Sequence, residues 1–190
     1  MAHVLETARL RLRAWRDADI EPWVAMGADP RVMEFFPSVI TPERAKEQAA
    51  RMRELLERDG YGWWILEEIG GAPFVGAIAL QDVPFEAPFT PAMEVGWRLL
   101  PAFWGRGYAT EGARAALDLA FDVLGRSEVV AMTARRNLPS QRVMQRLGMT
   151  YDPADDFDNP RIEPGHPLRP HVLYRLRASM HVAASALRSS

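Results

Sequence analysis

Between Arg9 and Ala14 apolar and basic residues alternate, with Leu10, Leu12 and Ala14 on one side and three arginines on the other. That period of two is the pattern of a strand with one buried face. Asp17 or Asp19 can cap a short helix carrying Ile20, Trp23 and Val24, in which Pro22 is tolerated only within the first turn. Thr41 and Pro42 open a clearer amphipathic helix: Ala45, Ala49, Met52 and Leu56 recur at helical spacing, and Gly60 follows as a stop.

From Tyr61 to about Glu68, and again from Phe74 to about Val83, β-branched and aromatic residues cluster around the turn signal Gly70-Gly71, which predicts an antiparallel hairpin. Pro84 to Pro91 is a proline-rich connection, and Met93 to Leu100 regains strand character. The period then lengthens to that of a helix through Ala113, Ala116, Leu117, Ala120, Phe121 and Leu124, ended by Gly125. A strand over 128–133, a short helix over 139–147 stopped by Gly148, a polar loop over 152–170 and a last strand over 172–176 complete the pattern. Helices and strands interleave without a linker or an internal repeat, so the expectation is a mixed α and β fold around one sheet. One domain over residues 1–178 is expected, followed by a tail, 179–190, that can fray.

Composition narrows the function more than the fold. The 190 residues are 48% hydrophobic and 25% charged, with a net charge of −2. That is the balance of an ordinary globular chain, and it supplies no general cationic field for nucleic acid or an anionic membrane. No apolar run is long enough to span a bilayer, and the N-terminus lacks the unbroken apolar stretch of a signal peptide, so a cytoplasmic location is expected. There is no cysteine. Disulfides, thiolate metal sites and a covalent cysteine intermediate are therefore excluded, and no metal is expected in the chemistry.

The segment Trp104 to Gly112, WGRGYATEG, lies between a predicted strand and the Ala-rich helix. Gly105 and Gly107 permit a tight turn in which successive N–H groups at a helix start point at one anion. It is neither a P-loop, since the Lys-Ser/Thr pair is absent, nor a GxGxxG dinucleotide turn. The segment resembles the pyrophosphate loop of the GNAT superfamily of N-acetyltransferases, Q/R-x-x-G-x-G/A, with Gly107 and Ala109 on its last two fixed positions. Trp104 replaces the first Gln or Arg, a variation familiar in the RimJ/RimL-like subgroup of ribosomal-protein N-terminal acetyltransferases. Glu6 to Arg13, Met93 to Gly112, Asn137 to Met149 and His171 to Leu176 are similar to that family in order along nearly the whole chain. The resemblance implies a three-layer fold whose central, mixed but mostly antiparallel sheet has about six to seven strands flanked by about four helices.

It also implies acetyl-CoA as co-substrate and a primary amine as acceptor. Trp104, Gly105, Arg106, Gly107, Tyr108, Ala109 and Thr110 would surround the pyrophosphate, and the pantetheine arm would pair along Val95, Trp97 and Leu99. Asn137 and Ser140 correspond to positions near the pantetheine and the departing sulfur, where a hydroxyl can serve the thiolate; both are also ordinary helix-start residues. Many relatives carry a tyrosine four positions after Ser140, where this chain has Met144. Glu94 matches a glutamate near the acceptor amine and is the expected base, although alternation alone explains a polar residue between Met93 and Val95. His166 and His171 are reserve candidates.

An α-amine, with a pKa of 7.7 to 8.0 against 10.4 for lysine, is easier to deprotonate at neutral pH by about 3 to 4 kcal/mol. A peptide or protein N-terminus is accordingly the preferred acceptor, with a small-molecule amine close behind. Phe35, Phe36, Trp63, Trp64, Phe85 and Phe89 are candidate walls for its pocket, and alternation turns only one of Trp63 and Trp64 inward. A non-catalytic acyl-CoA-binding module is the alternative, favoured by Met144. Neither a nucleic-acid nor a membrane partner is expected, and the chain can be a monomer or a homodimer.

Overall fold

The computed structural model describes residues 3–181. Nine strands form one sheet: β1 (Leu5–Glu6), β2 (Leu10–Arg13), β3 (Trp63–Glu68), β4 (Gly76–Asp82), β5 (Met93–Leu99), β6 (Glu128–Ala134), β7 (Thr150–Tyr151), β8 (Phe157–Asp158) and β9 (Pro170–Arg177). Their order is β1-β2-β3-β4-β5-β6-β9-β7, with β8 also on β9. Every pairing is antiparallel except β5 with β6. The helices are α1 (Ile20–Ala28), α2 (Pro42–Asp59), α3 (Tyr108–Asp118) and α4 (Leu138–Arg146). The surplus over the expected six to seven strands consists of the two-residue strands β1, β7 and β8, too short to carry a readable period.

The longest helix, α2, starts and stops for local reasons. Thr41 accepts a hydrogen bond from the Arg44 N–H at the head of α2, Pro42 occupies its first position, and left-handed Gly60 ends it. Beyond α3 the chain continues for one π-helical turn, Leu119–Val123, in which the Leu124 N–H reaches back to the Leu119 carbonyl, before left-handed Gly125. Residues 178–181 then form a helical turn that buries His181 beside Phe121, 3.0 Å from Asp118. Residues 182–190 of the expected tail lie outside the described residues.

Strand register sorts the side chains onto two faces. On one, Leu12 lies opposite Leu66, Trp64 opposite Ile78, Ile78 opposite Trp97 and Leu80 opposite Val95. This face packs under α3. A Cβ built on Gly112 would stand only 2.9 Å from Ile78 and 3.2 Å from Leu66, so the helix sits on the sheet at a distance only glycine allows. The other face carries Arg13, Ile65, Ala77 and Arg98 on one lateral row, Trp63, Ala79 and Gly96 on the next, and Gln81 and Glu94 on a third. Trp23 of α1 covers it, edge-on to Trp15 at 5.3 Å and to Trp63 at 6.0 Å.

The polar edge of β2 is not solvated as alternation suggests, since Arg13 is 4% exposed. Its guanidinium meets Asp19 with two nitrogens at 2.7 and 2.8 Å and Glu67 with Nε at 2.6 Å, and donates further to the carbonyls of Ala14 and Pro73. All five donors are used, which is the condition for burying arginine without a large penalty.

Candidate active site

The turn Gly105-Arg106-Gly107 is built by two left-handed glycines, with φ of 75° and 80°. Gly107 is the N-cap of α3 and has no side chain to cap it, so the first N–H groups of the helix are left open. Beside them lies a cleft of about 770 Å³ bounded by Thr7, Arg106, Thr110, Arg114 and Arg146 among others. The lining carries three arginines beside the positive end of a helix, together with Glu6, Glu111 and Asp118, and the open N–H groups and the arginines are the groups suited to an anion. No described residue fills the approach: a Cβ on Gly105 would touch no described atom within 4 Å, and one on Gly107 only the Arg9 guanidinium at 3.6 Å. Asp118, which also lines this cleft, groups with Asp122 and His181, their ligand atoms within 4.8 Å of one another.

Several of the motif's side chains are committed to holding the turn. Tyr108 is buried, donates to Glu68 of β3 and lies under the Arg9 guanidinium, and its side chain does not line the cleft. Glu111 anchors the same end of α3, accepting from Thr7 at 2.6 Å and from Arg9 at 2.8 Å. Trp104 is half exposed and donates its indole N–H to the Leu99 carbonyl at 2.8 Å, while Arg106 stacks on Phe103.

Next to this cleft β5 and β6 part. Their parallel pairing consists of Glu94 with Val130, and no later residue of β5 pairs with β6. The backbone edge from Val95 to Leu99 is thereby opened, while the side chains of Val95 and Leu99 are in the core. Trp97 reaches across on the α3 face, its indole N–H meeting Ser140 Oγ at 3.1 Å. Asn137 is the N-cap of α4: its Oδ1 accepts from the Ser140 N–H and its Nδ2 donates to Thr133 at 2.8 Å. Both ends of its amide are engaged in structure. The Ser140 hydroxyl, by contrast, donates to no group among the described residues. Met144, one turn later, is buried in the core.

Glu94 stands where the strands part, on the opposite face from Trp97. Gln81 donates to its carboxylate at 2.6 Å and is itself held by the Trp63 indole N–H at 2.8 Å. Burial pushes the Glu94 carboxyl above its ordinary range, against the Gln81 hydrogen bond and the charge of Arg161. A raised carboxylate pKa is what proton acceptance near neutral pH requires. Two residues on, Gly96 leaves the surface open, since a Cβ there would meet only Ala79 at 3.7 Å. Arg98 follows, with its guanidinium over the rings of Phe36 at 4.6 Å, Trp23 at 5.1 Å and Trp63 at 5.9 Å. Burial lowers its pKa to about 10, so it is still a cation at neutral pH.

The acetyltransferase (GNAT) domain family matches residues 9–150. The chain belongs to the GNAT acetyltransferase family. It is 35% identical over 154 residues to the FsC-acetyl coenzyme A-N(2)-transacetylase of Aspergillus fumigatus, a match covering 77% of this chain and 65% of that protein's length. A solved GNAT-family acetyltransferase from Bacillus anthracis superposes with a TM-score of 0.76 at 24% identity, covering 93% of this chain and 99% of that one. The ribosomal-protein-S5-alanine acetyltransferase of Vibrio fischeri does so with a TM-score of 0.72 at 17% identity, covering 93% and 97%. At those identities the two structures share the fold.

Within this GNAT fold the remaining expected wall residues separate. Trp63 faces Gln81 and α1, whereas Trp64 is fully buried on the α3 face and donates to the His3 carbonyl. Phe85 and Phe89 pack with Phe157, and Arg161 stacks on Phe85. Phe36 lies against Arg98; Phe35 is half-buried. His171 is buried, and its ring nitrogens face the Arg169 carbonyl and the Asn159 amide; burial lowers its pKa, so it is a neutral structural histidine. His166 Nδ1 accepts from the Leu168 N–H inside its loop. Motif reading passed over Gln81, Arg98, Arg114 and Arg146. Alternation along β5 does place Arg98 with Glu94 and Gly96, but neither its aromatic surroundings nor the distant partners of the others leave a local mark.

Proposed function

We propose that this GNAT chain transfers the acetyl group of acetyl-CoA directly to a primary amine. The observation that carries the proposal is the juxtaposition of the uncapped α3 start, framed by left-handed Gly105 and Gly107, with the opening between β5 and β6 at Glu94. The N–H groups of α3 with Arg106, Arg114 and Arg146 suit a pyrophosphate, and the freed edge of β5 suits the amide-bearing pantetheine arm. The acyl thioester then reaches the opening from the α3 face, beside Trp97 and Ser140.

The acceptor amine approaches from the other face, where Glu94 accepts its proton. The amine nitrogen attacks the thioester carbonyl carbon, the C–S bond breaks and the thiolate leaves. Ser140 Oγ, which accepts from Trp97 and donates to no described group, is free to serve that sulfur as hydrogen-bond donor. With Met144 buried, no tyrosine acid stands one turn beyond it, which is tolerable because a thiol of pKa about 8.5 leaves readily. The relative named as an acetyl coenzyme A-N(2)-transacetylase supports transfer to a nitrogen.

A thermal melt with and without acetyl-CoA, using ATP and NAD as controls, tests the cofactor. At 100 times the dissociation constant the gain is about 2.7 kcal/mol, a shift of several degrees for a domain of this size. Stabilisation by acetyl-CoA alone is expected, followed by thiol release when an amine is added. Equal shifts with all three nucleotides would overturn the assignment, and binding without release for any amine would leave a binding module.

A further inference from the structure

The two arginines on the α1 face of the sheet share one lateral row, Arg13 opposite Ile65, Ile65 opposite Ala77 and Ala77 opposite Arg98, yet they are treated oppositely. Every donor of Arg13 is taken by Asp19, Glu67 or a carbonyl. Arg98 has aromatic neighbours and no hydrogen-bond acceptor: its Nε and Nη1 are sealed from solvent and unpartnered among the described residues. The indole N–H of Trp23, one of the rings beneath Arg98, is also buried without an acceptor. Two orphaned guanidinium nitrogens and an orphaned indole N–H in one cage are unusual in a native protein. Nη2, the third nitrogen of Arg98, is not among the sealed atoms, so it is the edge at which an acceptor from outside the chain meets the cation.

Aromatic rings offset part of the cost of holding a cation there, but they give its N–H groups nothing to bond. Glu94 cannot serve. It is four residues away along the strand, about 13 Å between α-carbons, and its carboxylate already accepts from Gln81. A planar guanidinium between flat rings fits a planar carboxylate in a two-pronged pair through Nη2 and one neighbouring nitrogen, and its single charge balances a carboxylate where it would leave a phosphate dianion half compensated. The cofactor does not supply that anion, because the cleft for its phosphates is at the start of α3, on the other side of the sheet.

We propose that Arg98, in its cage of Trp23, Phe36 and Trp63, binds the carboxylate of an acceptor whose amine lies at Glu94. The open strip over Gly96 lets one molecule touch both ends. This rests on the acetyl-transfer reading and narrows its acceptor to amines that also carry a carboxylate, which excludes the N-terminus of a long chain unless an acidic side chain follows it closely.

The test uses the full-length protein with coenzyme A present, so that binding is measured without turnover. Amino acids of increasing spacer, from glycine through 4-aminobutyrate to 6-aminohexanoate, are titrated by calorimetry beside the corresponding amides, which keep the amine and lack the carboxylate. At least one acid is expected to bind ten-fold or more tightly than its own amide. In Arg98→Met that preference collapses to within about two-fold while coenzyme A affinity is unchanged; in Arg98→Lys, which keeps the charge without the fork, it is intermediate. Arg98→Met is also expected to melt at or above the wild-type temperature, because an unpaired cation has been removed from an apolar cage. Equal binding of acids and amides, a preference that survives in Arg98→Met, or a large fall in melting temperature in both variants would overturn the assignment. Thiol release with the same amines is read separately. Carboxylate preference without release would sink the transfer reading alone, and release without preference would sink this one alone.

Discussion

Glu94 is held by a single hydrogen bond from Gln81 at a place where burial disfavours its charge, and that combination fixes two outcomes of Glu94→Gln. As a base the carboxylate must be ionised, so wild-type turnover falls as pH drops through its raised pKa while the variant lacks that limb. The loss in the variant is expected to be about 100-fold or more above that pKa, narrowing below it, as a pH profile of kcat would record. Stability moves the other way. A carboxyl whose folded pKa exceeds its ordinary 4.5 favours the native state most below that value, and this contribution is lost as pH rises through the folded pKa. Always neutral, the variant is expected to melt at or above wild type at pH 7; a clear drop in melting temperature would mean that Glu94 is a structural anchor. The resemblance points to Glu94 as the candidate base, a role that Glu94→Gln tests. Arg98, on the same face, carries no motif, and its meaning comes from three rings contributed by α1, by β3 and by the segment before α2. Side chains that meet only in space leave no period in a sequence.

At the level of elements, the turn before α3 makes the most direct connection between chain and chemistry. Gly107 has a φ that L-residues avoid at roughly 1 to 2 kcal/mol, but a Cβ there would meet only the end of Arg9, so the fold can carry the substitution. What a side chain at 107 obstructs is the approach of a ligand to the N–H groups of α3. Gly107→Val is expected to keep a cooperative unfolding transition while losing the acetyl-CoA-dependent rise in melting temperature; retention of that rise would remove the cradle from the cofactor site. This element was legible from the strand-to-helix change of period with two glycines between, as was the hairpin around Gly70 and Gly71. Less legible was the stretch over 152–170. Read as polar loop, it contributes β8 and the Arg175–Asp155 pair, both defined by β9 and by nothing within the loop's own composition. The single π turn after α3 is invisible for a similar reason: Ala120, Phe121 and Leu124 satisfy helical spacing, and the displaced hydrogen bond is a tertiary adjustment.

The molecule as a whole carries two arginines on one row of the sheet, one internally paired and one not, and they should respond oppositely to the same substitution. Arg13 ties β2 to β3 through Glu67 and to the start of α1 through Asp19, three segments brought together by one guanidinium. Arg13→Met leaves the Asp19 carboxylate buried without its partner, a change that costs about 3 to 5 kcal/mol. For a chain of this size that corresponds to a fall in melting temperature of roughly 6 to 20 °C. The pH dependence follows from Glu67. Burial pushes its pKa up, but hydrogen bonding and charge from Arg13, with Arg16 and Arg11 nearby, bring the net value below the ordinary 4.5. A depressed carboxylate pKa contributes stability that is present above the ordinary value and lost as pH falls through the folded one. Wild type should therefore hold its full advantage over Arg13→Met at neutral pH and lose part of it as the solution is taken below about pH 4.5. Melts of both proteins across that range would decide the matter. A gap that stays constant with pH would assign the Arg13 effect to packing of its aliphatic stem instead of to the ion pairs, and an Arg13→Met protein as stable as Arg98→Met would remove the distinction between a paired arginine that supports the fold and an unpaired one that waits for a ligand.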